Sequence, residues 1–183
     1  IVSKLLEMPQ VKSIDGIIGE NSLIAKIYAR TNAEFVRILE RLDDLISSSR
    51  FQYYRVIECL IVFKNAGFAF KESSESDSER YSIELKTDFI KHTDFPFKFY
   101  LHILPKNMAE CNKIAADLLA KRQNITELYR TGQQFSLLAV VRTAHIAEYK
   151  QLIESIYQTG KIRDSLTILV IDEKMPACFR PFR

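Results

Sequence analysis

Apolar and polar positions along the chain repeat one arrangement twice. Residues 11–64 read as a strand running to a glycine, a second strand, an amphipathic helix and a third strand, and residues 124–173 read the same way. In the first copy Ile14 to Gly19 precedes Leu23-Ile24-Ala25-Lys26-Ile27-Tyr28. In the second, Ile125 to Gly132 precedes Leu137-Leu138-Ala139-Val140-Val141. Each second strand reaches a threonine, Thr31 or Thr143, that is expected to open the helix. Each helix is followed by another apolar strand, Val56 to Phe63 and Leu166 to Ile171. The period of roughly 110 residues is that of a domain duplication, too long for a solenoid.

In the first copy, Ile1, Leu5 and Met8 share one helical face, and Pro9 stops that helix. Val11 to Ile18 and Ser22 to Ala29 form a hairpin around Gly19. Thr31-Asn32-Ala33-Glu34 has capping-box spacing: the hydroxyl accepts from a helix N–H and the glutamate reaches back. Phe35, Ile38, Leu39, Leu42, Leu45 and Ile46 then make one apolar stripe, and Ser47-Ser48-Ser49 ends it. Phe51 to Phe63 reads as a long strand, buried where Val56, Ile57, Leu60, Ile61 and Val62 cluster. The stretch 73–79 is acidic, serine-rich and without apolar groups, which predicts a mobile loop. Phe68 and Phe70 before it, and Tyr81, Ile83 and Leu85 after it, alternate as the arms of a hairpin. A boundary is expected between Thr87 and Pro96.

The second copy reads as a complete module. Phe97 to Leu104 is a strand closed by Pro105. Asn107 to Arg122 is a helix with Met108, Cys111, Ala115, Leu118 and Leu119 on one face, and Asn107 with Glu110 has cap-like spacing. The hairpin strands follow, then a helix carrying Ile146, Tyr149, Leu152, Ile153 and Ile156, then Ser165 to Asp172. The order β-α-β-β-α-β is the ferredoxin-like pattern, with an antiparallel four-stranded sheet and both helices on one face. The other face is apolar too, so sheet-to-sheet pairing of two modules is expected to cover it. The first copy shows only α-β-β-α-β; its opening strand is missing, as if the N-terminus were truncated. The fold class is therefore α+β, in three parts: a first ferredoxin-like module over 1–64, a hairpin and linker over 65–96, and a second module with a basic aromatic tail over 97–183.

Composition narrows the function classes. A chain of 183 residues fits one large domain or two small ones. No apolar run approaches the roughly 20 residues of a membrane helix, and Ile1-Val2-Ser3-Lys4 does not open a signal peptide. The 3 cysteines are far apart and odd in number, which suits a reducing cytosol rather than a disulfide framework or metal motif. Cys59 and Cys111, among apolar neighbours, read as buried inert thiols; Cys178 lies in the tail. The net charge of +3 does not by itself argue for nucleic acid. His92, His102 and His145 are not at metal spacing. Alternation puts His102 on the sheet face opposite Leu101 and Ile103, and His145 falls in a helix's first turn. No nucleophile, base and orienting residue are grouped, and neither a phosphate-binding loop nor a nucleophile elbow occurs. No catalytic residue, metal ligand or cofactor is expected. The tail Phe179-Arg180-Pro181-Phe182-Arg183 suits nucleic-acid or peptide contact, and equally a docked or frayed end.

The β-α-β-β-α-β unit with a glycine between its central strands resembles the ligand-binding and oligomerisation module of Lrp/AsnC transcriptional regulators. In that family a glycine, two variable residues and an aspartate commonly occupy the turn. Here Gly19-Glu20-Asn21-Ser22 and Gly132-Gln133-Gln134-Phe135-Ser136 stand in that place. The glycines match; a serine replaces the aspartate in the first copy, and Ser136 falls one residue late in the second. The resemblance covers about four fifths of the chain.

The resemblance implies the sensor and assembly half of a cytosolic transcriptional regulator. Its partners would be a small effector such as an amino acid and other copies through the sheets, with DNA reached only through a domain upstream of these residues. No helix-turn-helix is legible here. The ligand-binding candidates are Gly19, Asn21, Ser22, Gly132, Gln134 and Ser136, at the seam between modules. Turn geometry alone also explains the glycines, which supply positive φ. Two other readings stand beside this one. Some similar proteins act on modified tetrapyrroles, for which Arg30, Arg142, His102 and His145 are the candidates. A ligand-free assembly module is the other.

Overall fold

The computed structural model describes residues 1–49, 53–65, 68–70, 83–84 and 95–174. The acidic stretch 73–79, the residues 87–94 with His92, and the tail with Cys178 lie outside the described residues. In chain order the elements are α1 (Val2–Leu6), β1 (Val11–Ile17), β2 (Leu23–Ile27), α2 (Asn32–Ser47), β3 (Cys59–Asn65), β4 (Phe68–Phe70), β5 (Ile83–Glu84), β6 (Phe97–Pro105), a 3-10 turn (Met108–Glu110), α3 (Cys111–Lys121), β7 (Ile125–Thr131), β8 (Leu137–Thr143), α4 (Ile146–Tyr157) and β9 (Ile162–Lys174). The fold is α+β, its strands pair antiparallel, and the chain divides into two compact units.

The first unit takes residues Ile1–Val56 and the chain from Val170. β1 pairs with β2 on one side and with the end of β9 on the other. Leu5 of α1, Met8 in the turn after it, Val11 and Ile14 of β1 and Ile38 of α2 form its core, with Leu23, Ile27, Leu42 and Leu45 packed against it. The helix start follows the spacing of its residues. Thr31 Oγ1 accepts from the Glu34 N–H at 3.1 Å, and Glu34 reaches back to the Arg30 N–H at 2.7 Å. That bond, with a second from Gln10, holds the Glu34 carboxyl below its ordinary range. At the other end the hydroxyls of Ser47, Ser48 and Ser49 bond to the carbonyls of Asp44, Leu45 and Ile46, each three residues back.

The second unit is Ile57–Leu169. Its sheet runs β9-β6-β8-β7-β3-β4-β5. β6 and β8 pair without interruption from Phe97↔Thr143 to Ile103↔Leu137. Because side chains alternate, the odd-numbered positions of both strands point one way. Phe99, Leu101, Ile103, Leu137, Ala139 and Val141 meet Ile114, Ala115 and Leu118 of α3 and Tyr149, Leu152 and Ile156 of α4 in one buried cluster. Both helices therefore lie on the same face. Tyr149 stacks on Phe99 with ring centroids 3.9 Å apart, and its hydroxyl pairs with Thr167 Oγ1 at 2.7 Å. Burial pushes this phenol up to about 12.

The two copies share one register. Val11↔Ile27 in the first hairpin is Ile125↔Val141 in the second, an offset of 114 for both partners (125 − 11 and 141 − 27). The same offset carries Ile14↔Ala25 to Leu128↔Ala139 and the β-bulge at Val11/Ser13 to the one at Ile125/Glu127. The burial sequences of β1 and β7 are identical. The offset also fixes the helix starts. Thr31 corresponds to His145, which is the N-terminal cap position of α4 and makes no side-chain cap bond. Glu148 repeats the back-bond of Glu34 by accepting from the Ala144 N–H at 3.1 Å.

Several expectations are corrected. Thr143 does not open its helix: it is a fully buried strand residue two positions before the cap. Of the long strand expected over 51–63, the described residues form strand only at Cys59–Asn65; β7, its ladder partner, ends at Thr131 opposite Cys59. Residues 53–58 are instead irregular, and Tyr54 donates from its hydroxyl to Asp43 Oδ1 of α2 at 2.7 Å. Cys59 is exposed at the strand's end, whereas Cys111 is buried. β4 and β5 form the expected hairpin, with Phe70 opposite Ile83.

Since the folded phenol at position 149 ionises above its ordinary value of 10.0, it stabilises the second unit fully below pH 10 and less as pH rises toward 12. Tyr149→Phe is expected to cost ~1 kcal/mol at neutral pH and to lose less than the wild type on going from pH 7 to pH 11; urea titrations at the two pH values check both.

Candidate functional site

The six residues singled out as ligand-binding lie in the two hairpin turns. Gly19, Asn21 and Ser22 are all exposed between β1 and β2, in the first unit. Gly132 and Gln134 are exposed between β7 and β8, in the second, but Ser136 is buried there. Each turn thus brings its own three residues together. The Ser136 hydroxyl is aimed at the Met108 sulfur at 3.2 Å, which takes it out of the accessible set.

Register shows which turn residues correspond. Ser22 and Ser136 are equivalent: their carbonyls accept from Ile17 N–H at 3.0 Å and Thr131 N–H at 2.8 Å. The glycines are not equivalent, since Gly19 aligns with Gln133 and Gly132 with Ile18 under the 114-residue offset of the hairpins. The backbone agrees. Gly19 has φ 153°, a conformation that side chains disfavour; Gly132 is not among the positive-φ glycines. The second turn is held by a side chain instead. Thr131 Oγ1 donates to the Phe135 carbonyl at 2.7 Å and accepts from the Gln133 N–H at 3.4 Å. Ile17 occupies that position in the first copy and has no such group, so the glycine there bends the chain unaided.

A second set of polar groups lies on the face of the second unit's sheet away from the helices. Lys98, Tyr100 and His102 alternate along β6 opposite Arg142, Val140 and Leu138 of β8, and all six are buried. Lys98 Nζ stands 5.5 Å from the centre of the Tyr100 ring. On β7 the Tyr129 hydroxyl lies 2.7 Å from Glu127 Oε2 and 3.2 Å from Asn65 Oδ1. His102 is where alternation places it, opposite Leu101 and Ile103. Its ring meets Phe135 edge-on at 6.1 Å, and burial lowers its pKa. The sequence reading passed over Lys98 and Tyr100. The available sign was a lysine at an even position of a strand whose odd positions are all apolar.

Of the four tetrapyrrole candidates, His102 and Arg142 share this face. His145 is exposed at the start of α4, and Arg30 lies in the first unit. Among the described residues no three His, Cys, Asp or Glu side chains are placed to hold a metal ion, and no helix is long and apolar enough to cross a membrane. Compared with known proteins, the chain matches no family model and no curated protein.

Gly19→Ala is expected to destabilise by ~1–3 kcal/mol through backbone strain. Gly132→Ala should stay within ~1 kcal/mol, because its new methyl would meet Leu60 Cδ1 at an ordinary 3.7 Å; chemical denaturation of both variants separates them. His102 contributes stability above its unfolded value near 6.5, and loses it as pH falls through the lower folded value. The melting temperature should therefore drop more between pH 7 and pH 5 in the wild type than in His102→Gln.

Proposed function

We propose that this chain is the sensing and assembly portion of a cytosolic regulator of Lrp/AsnC type. It comprises two ferredoxin-like modules that bind a small polar metabolite such as an amino acid, and it acts on DNA only through a separate domain. Self-association runs through the sheets, and the role is regulation rather than catalysis. One observation carries the reading. Residues 97–174 run β-α-β-β-α-β with strands ordered β9-β6-β8-β7 and both helices on one face, and the first copy repeats the hairpin and following helix at the same register. Numbered within the unit, that order is 4-1-3-2, which supports a ferredoxin-like module. The turns supply the ligand chemistry: Asn21 and Gln134 offer exposed amides, and Gly19 leaves its backbone approachable.

A second reading is favoured by the placement of His102 and Arg142 on one sheet face, both buried, with Lys98 and Tyr100 beside them. Those groups suit an acidic, planar macrocycle of the tetrapyrrole kind.

The test is a thermal-shift screen of the chain against the amino acids, followed by titration calorimetry of any hit. One amino acid should raise the melting temperature, and Asn21→Ala or Gln134→Ala should weaken its binding by about tenfold. If no amino acid shifts the transition, the sensing role is refuted. An iron tetrapyrrole added to the chain distinguishes the second reading: a visible absorption shift that is lost in His102→Ala would establish it in place of the first.

A further inference from the structure

The two copies differ at the ends of their second helices. Under the 114-residue offset of the hairpins the last residue of α2, Ser47, corresponds to Lys161, but α4 stops at Tyr157, one turn earlier. The first copy uses that extra turn to pack Leu45, beside Leu42, against a core that includes the buried Met8. In the second copy Thr159 stands at the place of Leu45, and Arg122 at the place of Met8. The second equivalence is set by the backbone, since the Met8 carbonyl accepts from Val11 N–H as the Arg122 carbonyl does from Ile125 N–H. Two apolar fillers are thus replaced by polar residues, under a helix that is one turn shorter.

What results is a cleft between the C-terminal ends of α3 and α4, wholly within the second unit. Ile114 and Leu118 of α3, Ile156 of α4 and Ile162 of β9 form its floor; Asp117, Arg122, Thr159 and Lys161 form its rim. With its open mouth it contains about 370 Å³ of empty space, toward the small end of small-molecule sites. The rim is held in place by its own bonds. Lys161 Nζ donates to Asp117 Oδ2 at 2.8 Å, which raises the lysine's pKa. Arg122 Nη2 donates to Ser155 Oγ at 2.7 Å. Thr159 Oγ1 donates to the Ile156 carbonyl at 2.7 Å and accepts from Lys161 N–H at 3.3 Å, closing the shortened turn. The lining side chains therefore carry two cations and one carboxylate, an excess of one positive charge above an apolar floor.

We infer that this cleft binds a short aliphatic monocarboxylate, with the carboxylate on Arg122 and the hydrocarbon end on the floor of Ile114, Leu118, Ile156 and Ile162. One negative charge matches the excess on the rim. A guanidinium carries its donors in a planar fork that takes a carboxylate through two parallel bonds, and the bond to Ser155 fixes the direction of that fork. Lys161 and Asp117 answer one another and frame the mouth. The fold itself does not require a polar cleft here, because the first copy closes the same place with Met8 and Leu45. The site is separate from the hairpin turns, and the inference does not depend on their role.

Methyl-resolved NMR titration of the 183-residue chain with 3-methylbutanoate tests the assignment. The methyl signals of Ile114, Leu118, Ile156 and Ile162 should shift together and saturate. The amide 3-methylbutanamide has the same shape without the charge and should bind at least about tenfold more weakly. Arg122→Met installs the residue that the first copy carries at this place; it should fold and also bind the acid at least about tenfold more weakly. Should that variant fail to fold, the comparison of acid with amide on the unaltered chain decides alone. Three results would overturn the inference: no saturable shift of the four methyl signals, equal affinity for acid and amide, or tighter binding of leucine than of 3-methylbutanoate, which would make the cleft a site for a zwitterion.

Discussion

Backbone pairing at one fixed register, β7 against β8, decides where everything else in the second unit goes. A strand has two faces and a period of two, so a slip of one residue would exchange them. With Leu128 opposite Ala139, the odd positions of β8 turn to the helices and the even ones, including Arg142, turn away. β6 adopts the same division through its unbroken ladder with β8. The helices then need only supply a stripe: Ile114, Ala115 and Leu118 from α3, and Tyr149, Leu152 and Ile156 from α4. Burying each large apolar side chain in that cluster is worth about 1.5–3 kcal/mol, and each depends on the register holding.

That dependence explains what could be read in advance. Hairpins, helix stripes and the face of His102 follow from local alternation, and the Thr31 cap from a four-residue spacing. The partners of the third strands are not local. β3 pairs with β7, and the end of β9 with β1; each ladder has a bulge at the equivalent place, between Cys59 and Ile61 and between Gly16 and Ile17, and β3 has a second between Val62 and Lys64. Nothing in the alternation of either strand says which edge it will join. The helix start at 145 was misread for a different reason. Thr143 has the side chain of a cap, but the better sign was Glu148, three residues after His145 as Glu34 is three after Thr31. Lys98 illustrates a third kind of miss: a charged residue in a strand normally reads as solvent-facing, yet it is buried.

The candidate site was legible as a place and not as a chemistry. Two turns with a glycine and a serine look like one motif written twice. Register shows instead that the serine carbonyl is the shared part, closing both hairpins, while the bend itself is made in two ways. One turn uses a residue without a side chain at φ 153°; the other uses the hydroxyl of Thr131 to gather its neighbours. The second is the stiffer solution, because a side-chain bond replaces conformational freedom. Ser136 belongs to that scaffold through Met108, leaving Gln134 outermost.

Because the first unit draws its third strand from the chain beyond Val170, its assembly is tied to the order of synthesis. Translation makes α1, β1, β2 and α2 before the second unit, yet β1 obtains its second neighbour only after the second unit has been made. At roughly 5–20 residues per second that wait is on the order of ten seconds. The second unit, apart from the last pairing of β9, is contiguous and has its partners at hand as it leaves the ribosome. Of the two units, the one whose first strands are made earlier is therefore the one completed later, and that long-range closure raises its contact order.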